Sequence, residues 1–104
     1  MNWNNNKNNR LVKAVLSLKD PNDVKNFLRD LMTEKEINEF ANRLEVAKML
    51  SENISYTIIE KKTGLSSTTI ARVSKWLNSS EGGYRNILNK LHHSNSIQIR
   101  RGLS

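Results

Sequence analysis

Residues 56–77, YTIIEKKTGLSSTTIARVSKWL, contain the pattern that decides the fold. Two short amphipathic segments are separated by Gly64, and glycine adopts the left-handed conformation of a tight turn without steric strain. In the second segment Ile70, Val73 and Leu77 are spaced three and four residues apart, so they share one face of a helix. The segment therefore predicts a helix-turn-helix, a motif whose second helix enters the major groove of DNA.

The opposite face of the second helix is polar and cationic. The hydroxyl groups at its start donate or accept hydrogen bonds, and the methyl groups of threonine and alanine can contact the thymine methyl. The residues of this helix expected at a DNA interface are Ser66, Ser67, Thr68, Ala71, Arg72 and Lys75. Lys61 and Lys62, on the first helix, are placed for phosphate contacts, which set register rather than sequence.

Positive charge is concentrated on and after this segment. The chain of 104 residues has a net charge of +7 and a pI of about 10.0. Residues 55–104 hold eight basic and two acidic residues, whereas residues 33–54 hold three basic and five acidic ones. This distribution fits a polyanionic partner. Because many basic proteins bind nothing in particular, it supports the motif rather than replacing it.

Composition also excludes several classes of function. The chain has no cysteine, which excludes disulfides, zinc fingers and thiol catalysis and permits an intracellular location. No apolar stretch approaches the roughly 20 residues of a membrane span, and no phosphate-binding loop or nucleophile motif occurs. His92 and His93 lack a third ligand nearby in sequence, so a solvated helix end is preferred to a metal site. We expect a cytoplasmic, non-enzymatic protein without membrane association or bound metal.

Helix-start signals before the motif predict further helices. Residues 1–9 are rich in asparagine and are predicted to form a disordered arm, since they cannot bury a core. Asp20 suits the N-cap of a later helix and Pro21 its first position. Thr33 and Glu36 fit a capping box at the start of the clearest long helix.

The predicted fold is all-α with about six helices, the last of which follows the glycine pair at residues 82–83. Residues 10–94 are predicted to form one helical DNA-binding and dimerisation domain, and residues 95–104 a flexible basic tail. A chain of this size buries only part of its surface, so a core shared between two copies would add stability. One apolar stripe at helical spacing is formed by Leu11, Val12, Val15, Leu16 and Leu18, and the last amphipathic helix carries Tyr84, Ile87, Leu88 and Leu91. On the two helices between them, the apolar residues expected to face inward are Val24, Phe27, Leu28, Leu31, Ile37, Phe40, Ala41, Leu44, Ala47 and Met49 or Leu50.

Three stretches carry a family resemblance: LMTEKEINEFANRLEVAKML at residues 31–50, GLSSTTIARVSKWL at residues 64–77 and SEGGY at residues 80–84. Through them residues 30–91, about 60% of the chain, resemble the Trp repressor superfamily, particularly its Trp-repressor-related bacterial branch. The resemblance implies an intertwined all-helical homodimer that acts as a bacterial transcription factor. The two recognition helices would then enter successive major grooves.

The same resemblance assigns DNA contacts to individual residues. Ser67, Thr68 and Ala71 match positions at which family members contact bases. Thr57 and Thr69 fall near phosphate-contacting and base-contacting positions.

A corepressor site is the second feature that the resemblance addresses. Arg43 and Arg72 match two arginines that enclose the indole ring in tryptophan-binding members, and Thr33 matches a threonine that helps to close the pocket. Two other positions differ, because Val73 replaces a glycine and Trp76 replaces a serine. Both replacements add bulk where the indole would lie. We therefore expect no cofactor and no response to tryptophan.

Two placements of Trp76 are open. Trp76 lies four residues after Arg72 and can stack on its guanidinium, which would fill the ligand site and hold the recognition helix in place without corepressor. In the alternative, Trp76 packs at the edge of the dimer.

These observations predict a sequence-specific DNA-binding transcriptional regulator, a repressor, that binds double-stranded DNA as a homodimer. The alternative is a helical protein-interaction module that binds a polymerase subunit or another regulator. Glu60 keeps this alternative open, because the first helix of the motif commonly has a small residue there. The hydroxyl run would then serve only as an N-cap cluster in a helical hairpin.

Overall fold

Six α-helices form the described part of the chain. The computed structural model describes the backbone of residues 1–103 and the side chains of residues 1–93. The helices are α1 (Asn6–Leu16), α2 (Pro21–Leu31), α3 (Glu34–Ser51), α4 (Tyr56–Thr63), α5 (Ser67–Leu77) and α6 (Gly83–Leu103). Within residues 1–103 there is no strand, so the prediction of an all-α fold with about six helices is confirmed. None of the described helices is long and apolar enough to cross a membrane.

The chain divides into two compact units, Met1–Ile37 and Asn38–Ser104. The first holds α1 and α2, the second holds α4, α5 and α6, and α3 begins in the first and ends in the second. The single domain predicted for residues 10–94 thus spans both units. The predicted flexible tail at residues 95–104 lies outside the described side chains, although the α6 backbone continues to Leu103.

A buried core lies in the second unit. It is built from the C-terminal half of α3 together with α4 and α5. The buried residues are Val46, Ala47, Met49, Ile59, Ile70, Val73 and Leu77. Half-buried residues of the adjoining turns and of α6, among them Leu65 and Tyr84, pack against this core. The core therefore holds α4 and α6 against α5.

The apolar faces of the first two helices stay outside any core. Neither α1 nor α2 contains a buried residue, and Leu16, Leu31 and, in the first half of α3, Phe40 are exposed. The expected inward packing is wrong within one chain for Val24, Leu31, Phe40 and Ala41, which are exposed. The helical spacing was correct, but spacing identifies an apolar stripe without identifying the surface that covers it.

Side-chain caps define the starts of α2 and α3. Asp20 accepts a hydrogen bond from the Asp23 backbone N–H (2.9 Å), and Pro21 occupies the first position of α2. Thr33 Oγ1 accepts one from the Glu36 N–H (3.1 Å), and the Glu36 carboxylate accepts one from the Thr33 N–H (3.0 Å). Both predicted caps are confirmed, and they satisfy donors that a helix start leaves free.

The first helix begins inside the segment predicted to be a disordered arm. The Asn5 side chain accepts a hydrogen bond from the Asn8 backbone N–H (2.8 Å) and caps a helix that starts at Asn6. Residues 6–9 are therefore helical, and the predicted boundary of the arm at residue 9 is corrected. Asparagine disfavours a helix interior but is among the best N-cap residues, so composition alone misplaced this boundary.

The capping box of α3 makes a pH-dependent contribution to stability. Hydrogen bonds from the Thr33 N–H and hydroxyl lower the pKa of Glu36 below its ordinary value of about 4.3. The contribution is complete above the unfolded pKa and is lost as the pH falls through the lower folded pKa. We expect the thermal stability advantage of the wild type over Glu36→Gln to shrink as the pH falls below about 5 and through the lowered folded pKa. Thermal melts across this range measure it, and an advantage that is unchanged at low pH would contradict the assignment.

Candidate nucleic-acid interface

The turn between α4 and α5 is built from one left-handed residue, Gly64, and two hydrogen bonds of the Thr63 hydroxyl. Gly64 has φ +71° and ψ +5°, and its N–H donates to the Glu60 carbonyl (2.9 Å) at the end of α4. The Thr63 hydroxyl donates to the Ile59 carbonyl (2.7 Å) and accepts from the Leu65 N–H (3.2 Å). These bonds satisfy carbonyl and amide groups that would otherwise be unpaired where the chain reverses. The predicted turn at Gly64 is confirmed.

Gly64 is required for its backbone conformation rather than for space. A Cβ atom built on Gly64 meets nothing within 4 Å, but a side chain at φ +71° is strained. We expect Gly64→Ala to lower the free energy of unfolding by roughly 1–2 kcal/mol, the cost of a left-handed non-glycine residue. Gly83→Ala is the matched control, because Gly83 has equal space and no positive φ. Urea unfolding compares the two variants, and equal losses would contradict this explanation.

Apolar contacts fix α5 against its neighbours. Ile59 of α4 and Ile70 of α5 are completely buried, and Val73 and Leu77 are nearly so. Leu65, in the turn, is half-buried against the same cluster. The predicted inward stripe of α5 is therefore confirmed. Because that stripe is buried, the opposite side of α5 faces solvent.

The exposed side of the motif contains nearly all the residues predicted at a DNA interface. Those exposed in the structure are Thr57, Lys61, Lys62, Ser66, Ser67, Thr68, Ala71, Arg72 and Lys75. Thr69 alone is half-buried. Lys61 and Lys62 occupy the last turn of α4, and the remaining lysine and arginine lie on α5. The structure thus gathers the cationic and small polar side chains of α5 on one exposed helix face.

The four hydroxyl residues at the start of α5 fall into two pairs. The Ser66 hydroxyl caps the helix by accepting from the Thr69 N–H (3.3 Å), and it lies 3.2 Å from the Thr69 hydroxyl. Ser67 and Thr68 have side-chain hydroxyls with no hydrogen-bond partner among residues 1–93. The sequence alone did not separate these roles. The signal was present, because the residue before a helix caps the amide three positions later.

The residues matched to a corepressor site have other contacts in the structure. The Arg43 guanidinium lies over the Phe40 ring, 5.3 Å from its centroid, and Thr33 belongs to the capping box of α3. Trp76 is 51% exposed, and stacking on Arg72, one of the two placements open from the sequence, is absent from the cation–π contacts of the described side chains. An exposed cation–π pair gains only about 0.5–1 kcal/mol, which is comparable to the entropy lost by ordering an arginine.

Two further residues position the end of α5 and were not singled out from the sequence. The Asn78 amide donates to the Ser74 carbonyl (2.9 Å), and its oxygen accepts from the Arg85 guanidinium (2.8 Å). The pair joins the end of α5 to the first turns of α6. A polar residue following the last apolar position of a helix is a recognisable C-cap signal, but its partner on another element is not visible in sequence.

Known proteins match this chain over most of its helices. The family model described as Trp repressor protein matches residues 6–92. The chain is 43% identical over 82 residues to the uncharacterized protein YerC of Bacillus subtilis strain 168. The aligned residues make up 79% of each chain.

Two crystal structures share the fold. A TrpR-like protein from Eubacterium eligens is 39% identical, with a TM-score of 0.81 over 86% of this chain and 93% of that one. A candidate Trp repressor from Staphylococcus aureus is 32% identical, with a TM-score of 0.80 over 86% and 90% of the two chains. Since the family model and these relatives all span most of the six-helix chain, the protein belongs to the Trp repressor family, a family of helical regulators.

Proposed function

We propose that the protein is a sequence-specific DNA-binding transcriptional repressor that acts as a homodimer. The two-sided character of α5 carries the proposal. Its apolar face is buried through Ile70, Val73 and Leu77, so the helix is held firmly. Its other face presents short polar side chains first and Arg72 and Lys75 later, which is the arrangement of a helix that inserts its N-terminal end into a major groove.

The charge of the motif supports a polyanionic partner. Residues 56–77 contain four basic side chains and one acidic side chain, Glu60. Lys61, Lys62, Arg72 and Lys75 are all exposed, whereas Glu60 is half-buried. Exposed cations beside a recognition helix bind phosphates and make the affinity depend on salt.

Exposed apolar faces support the homodimer. Val15 of α1 is 53% exposed, and apolar side chains of α2, α3 and α6 are exposed as well. These stripes have regular helical spacing, so they are amphipathic faces rather than scattered surface residues. A second copy of the chain would cover them and place two recognition helices about 34 Å apart on DNA.

Tryptophan does not fit this chain as a corepressor. Val73 stands where tryptophan-binding members have glycine, and its side chain is only 2% exposed. The space beside the α5 backbone is therefore taken by the protein's own side chain. The exposure of Trp76 favours the alternative in which this ring packs at a dimer edge. Titration calorimetry with L-tryptophan is expected to give no saturable binding, and micromolar binding would overturn this part of the proposal.

A gel-shift experiment with a salt series tests the DNA-binding function. The wild type is expected to retard duplex DNA obtained by selection, and its affinity should fall steeply as salt rises. Lys62→Ala is expected to weaken binding to all sequences and to reduce the salt slope by about one, because it removes a phosphate contact. Thr68→Ala is expected to change base preference with the slope intact. If neither change affects binding, the proposed docking is wrong.

The same experiment separates the second candidate, a helical module that binds a polymerase subunit or another regulator. The exposed Trp76 favours this candidate, since tryptophan is enriched at protein interfaces. Absence of retardation at low salt would support the module and contradict DNA binding.

A further inference from the structure

We propose that α5 recognises thymine methyl groups, so that each DNA half-site contains thymines at the positions facing Thr68 and Ala71; this inference rests on the proposed DNA-binding function. Its first support is the set of side chains that α5 lacks. The helix sequence STTIARVSKWL has no asparagine, glutamine, aspartate or glutamate. Amide side chains recognise adenine in the major groove, and carboxylates recognise cytosine. Neither type of recognition is open to this helix.

Only two of the four hydroxyl groups at the start of α5 are left to contact bases. Ser66 and Thr69 are engaged with each other in the N-cap, at 3.2 Å between their hydroxyl oxygens. They are therefore not available as primary base contacts. Of the two hydroxyls left, that of Ser67 is at the first residue of α5 and that of Thr68 at the second. A hydroxyl donates to or accepts from several bases, so it discriminates weakly.

Methyl groups supply the discrimination that the hydroxyls lack. Thr68 and Ala71 are both exposed and lie three residues apart, so their methyl groups are neighbours on one helix face. In the major groove only thymine presents a methyl group. Contact between methyl groups buries apolar surface at a point that no other base reproduces.

The cations of α5 lie farther along the helix. Arg72 and Lys75 are exposed in its middle and last turns, while the N-terminal residues of a recognition helix are those nearest the bases. We assign these two residues mainly to phosphates, with guanine contact limited to Arg72. The half-site is thus distinguished by thymine methyl groups rather than by a series of guanines.

Substituting deoxyuridine for thymidine tests the inference on the whole 104-residue chain. Deoxyuridine lacks only the 5-methyl group and keeps the pairing edge. Fluorescence anisotropy measures binding to a duplex obtained by in-vitro selection and to copies with one thymine replaced at a time. We expect one or two positions in each half-site to lose about fourfold in affinity, the value of one buried methyl group. Replacements outside the half-sites serve as the DNA control.

Protein variants identify which residue makes each contact. Thr68→Ser keeps the hydroxyl and removes the methyl, so the wild-type sensitivity to deoxyuridine at one position should disappear. Ala71→Gly should remove the sensitivity at a second position, with thermal unfolding measured alongside to verify folding. Ile58→Val is the matched control, because Ile58 is exposed on α4 and also loses one methyl group, and it should keep the full pattern.

The possible outcomes distinguish failure of thymine recognition from failure of the proposed DNA-binding function. If no selected or genomic duplex is bound at low salt, the proposed DNA-binding function fails and the inference fails with it. If the duplex is bound but every deoxyuridine copy binds within twofold, thymine recognition is overturned and DNA binding stands. If the sensitivity persists in both Thr68→Ser and Ala71→Gly, the assignment to these residues is overturned.

Discussion

Ile59→Ala is expected to lower the free energy of unfolding by about 2–5 kcal/mol, the usual cost of truncating a buried isoleucine. Ile59 is completely buried in the core shared with Ile70 and Val46. The shorter side chain loses its transfer free energy and leaves a cavity between α4 and α5. DNA binding should fall with it at moderate temperature, since these contacts hold α5.

The neighbouring isoleucine gives the matched control. Ile58 lies one residue earlier on α4 and is 46% exposed. Ile58→Ala makes the same chemical change at the same helix, yet we expect an effect within roughly 0.5 kcal/mol, as for most surface substitutions. Urea unfolding followed by circular dichroism measures both. Equal losses for the two variants would contradict the position of the core.

Val15→Asp is expected to convert the proposed homodimer into a monomer. Val15 is exposed in the single chain, so a carboxylate there should leave the folded monomer intact. In a dimer that covers α1, the same carboxylate would be buried without a partner, which costs several kcal/mol. Sedimentation equilibrium should show the mass falling from twice 12.0 kDa to 12.0 kDa.

Lys13→Asp is the control for this change. Lys13 lies two residues earlier in the last turn of the same helix, is exposed and belongs to the polar face. It receives the same side chain near the same helix end, so any effect of aspartate on helix stability is shared. We expect Lys13→Asp to remain a dimer. A wild type of single-chain mass, or a Val15→Asp protein that keeps the double mass, would contradict dimerisation through α1.

Local chemistry explains why the motif could be predicted from sequence. The end of α4 depends on Gly64 and the start of α5 depends on Ser66. Both caps involve atoms no more than four residues away in the chain. Helix caps of this kind have residue preferences that sequence displays directly. The inward residues of α5 were also predictable, because Ile70, Val73 and Leu77 pack against neighbours in the same unit.

Features that depend on other surfaces could not be predicted in this way. The stripe of α3 is buried only toward its C-terminal end, where Val46, Ala47 and Met49 meet the core, while Phe40 is exposed. Spacing gives the direction of an apolar face and says nothing about what covers it. The same limit applies to Trp76. Its spacing from Arg72 permitted a stacking contact that is absent from the cation–π contacts of the described side chains.

The polar residues at the start of α5 were predicted as one group, but their separate roles were not. Ser66 and Thr69 form the cap, whereas Ser67 and Thr68 have free hydroxyls within the described side chains. Sequence treats these four residues as equivalent small polar groups. Geometry separates them, because a cap requires one side chain to turn back toward the helix backbone.

In-vitro selection of duplexes bound by the whole 104-residue chain tests the central claim most directly. The protein should enrich a two-fold symmetric sequence whose half-sites have centres about 34 Å apart, one helical turn of DNA. Substitution of Thr68, which is exposed near the start of α5, should change the base enriched at one position of each half-site. Recovery of no enriched sequence, or of a sequence whose bases are indifferent to every change on the exposed face of α5, would contradict recognition of DNA by this helix.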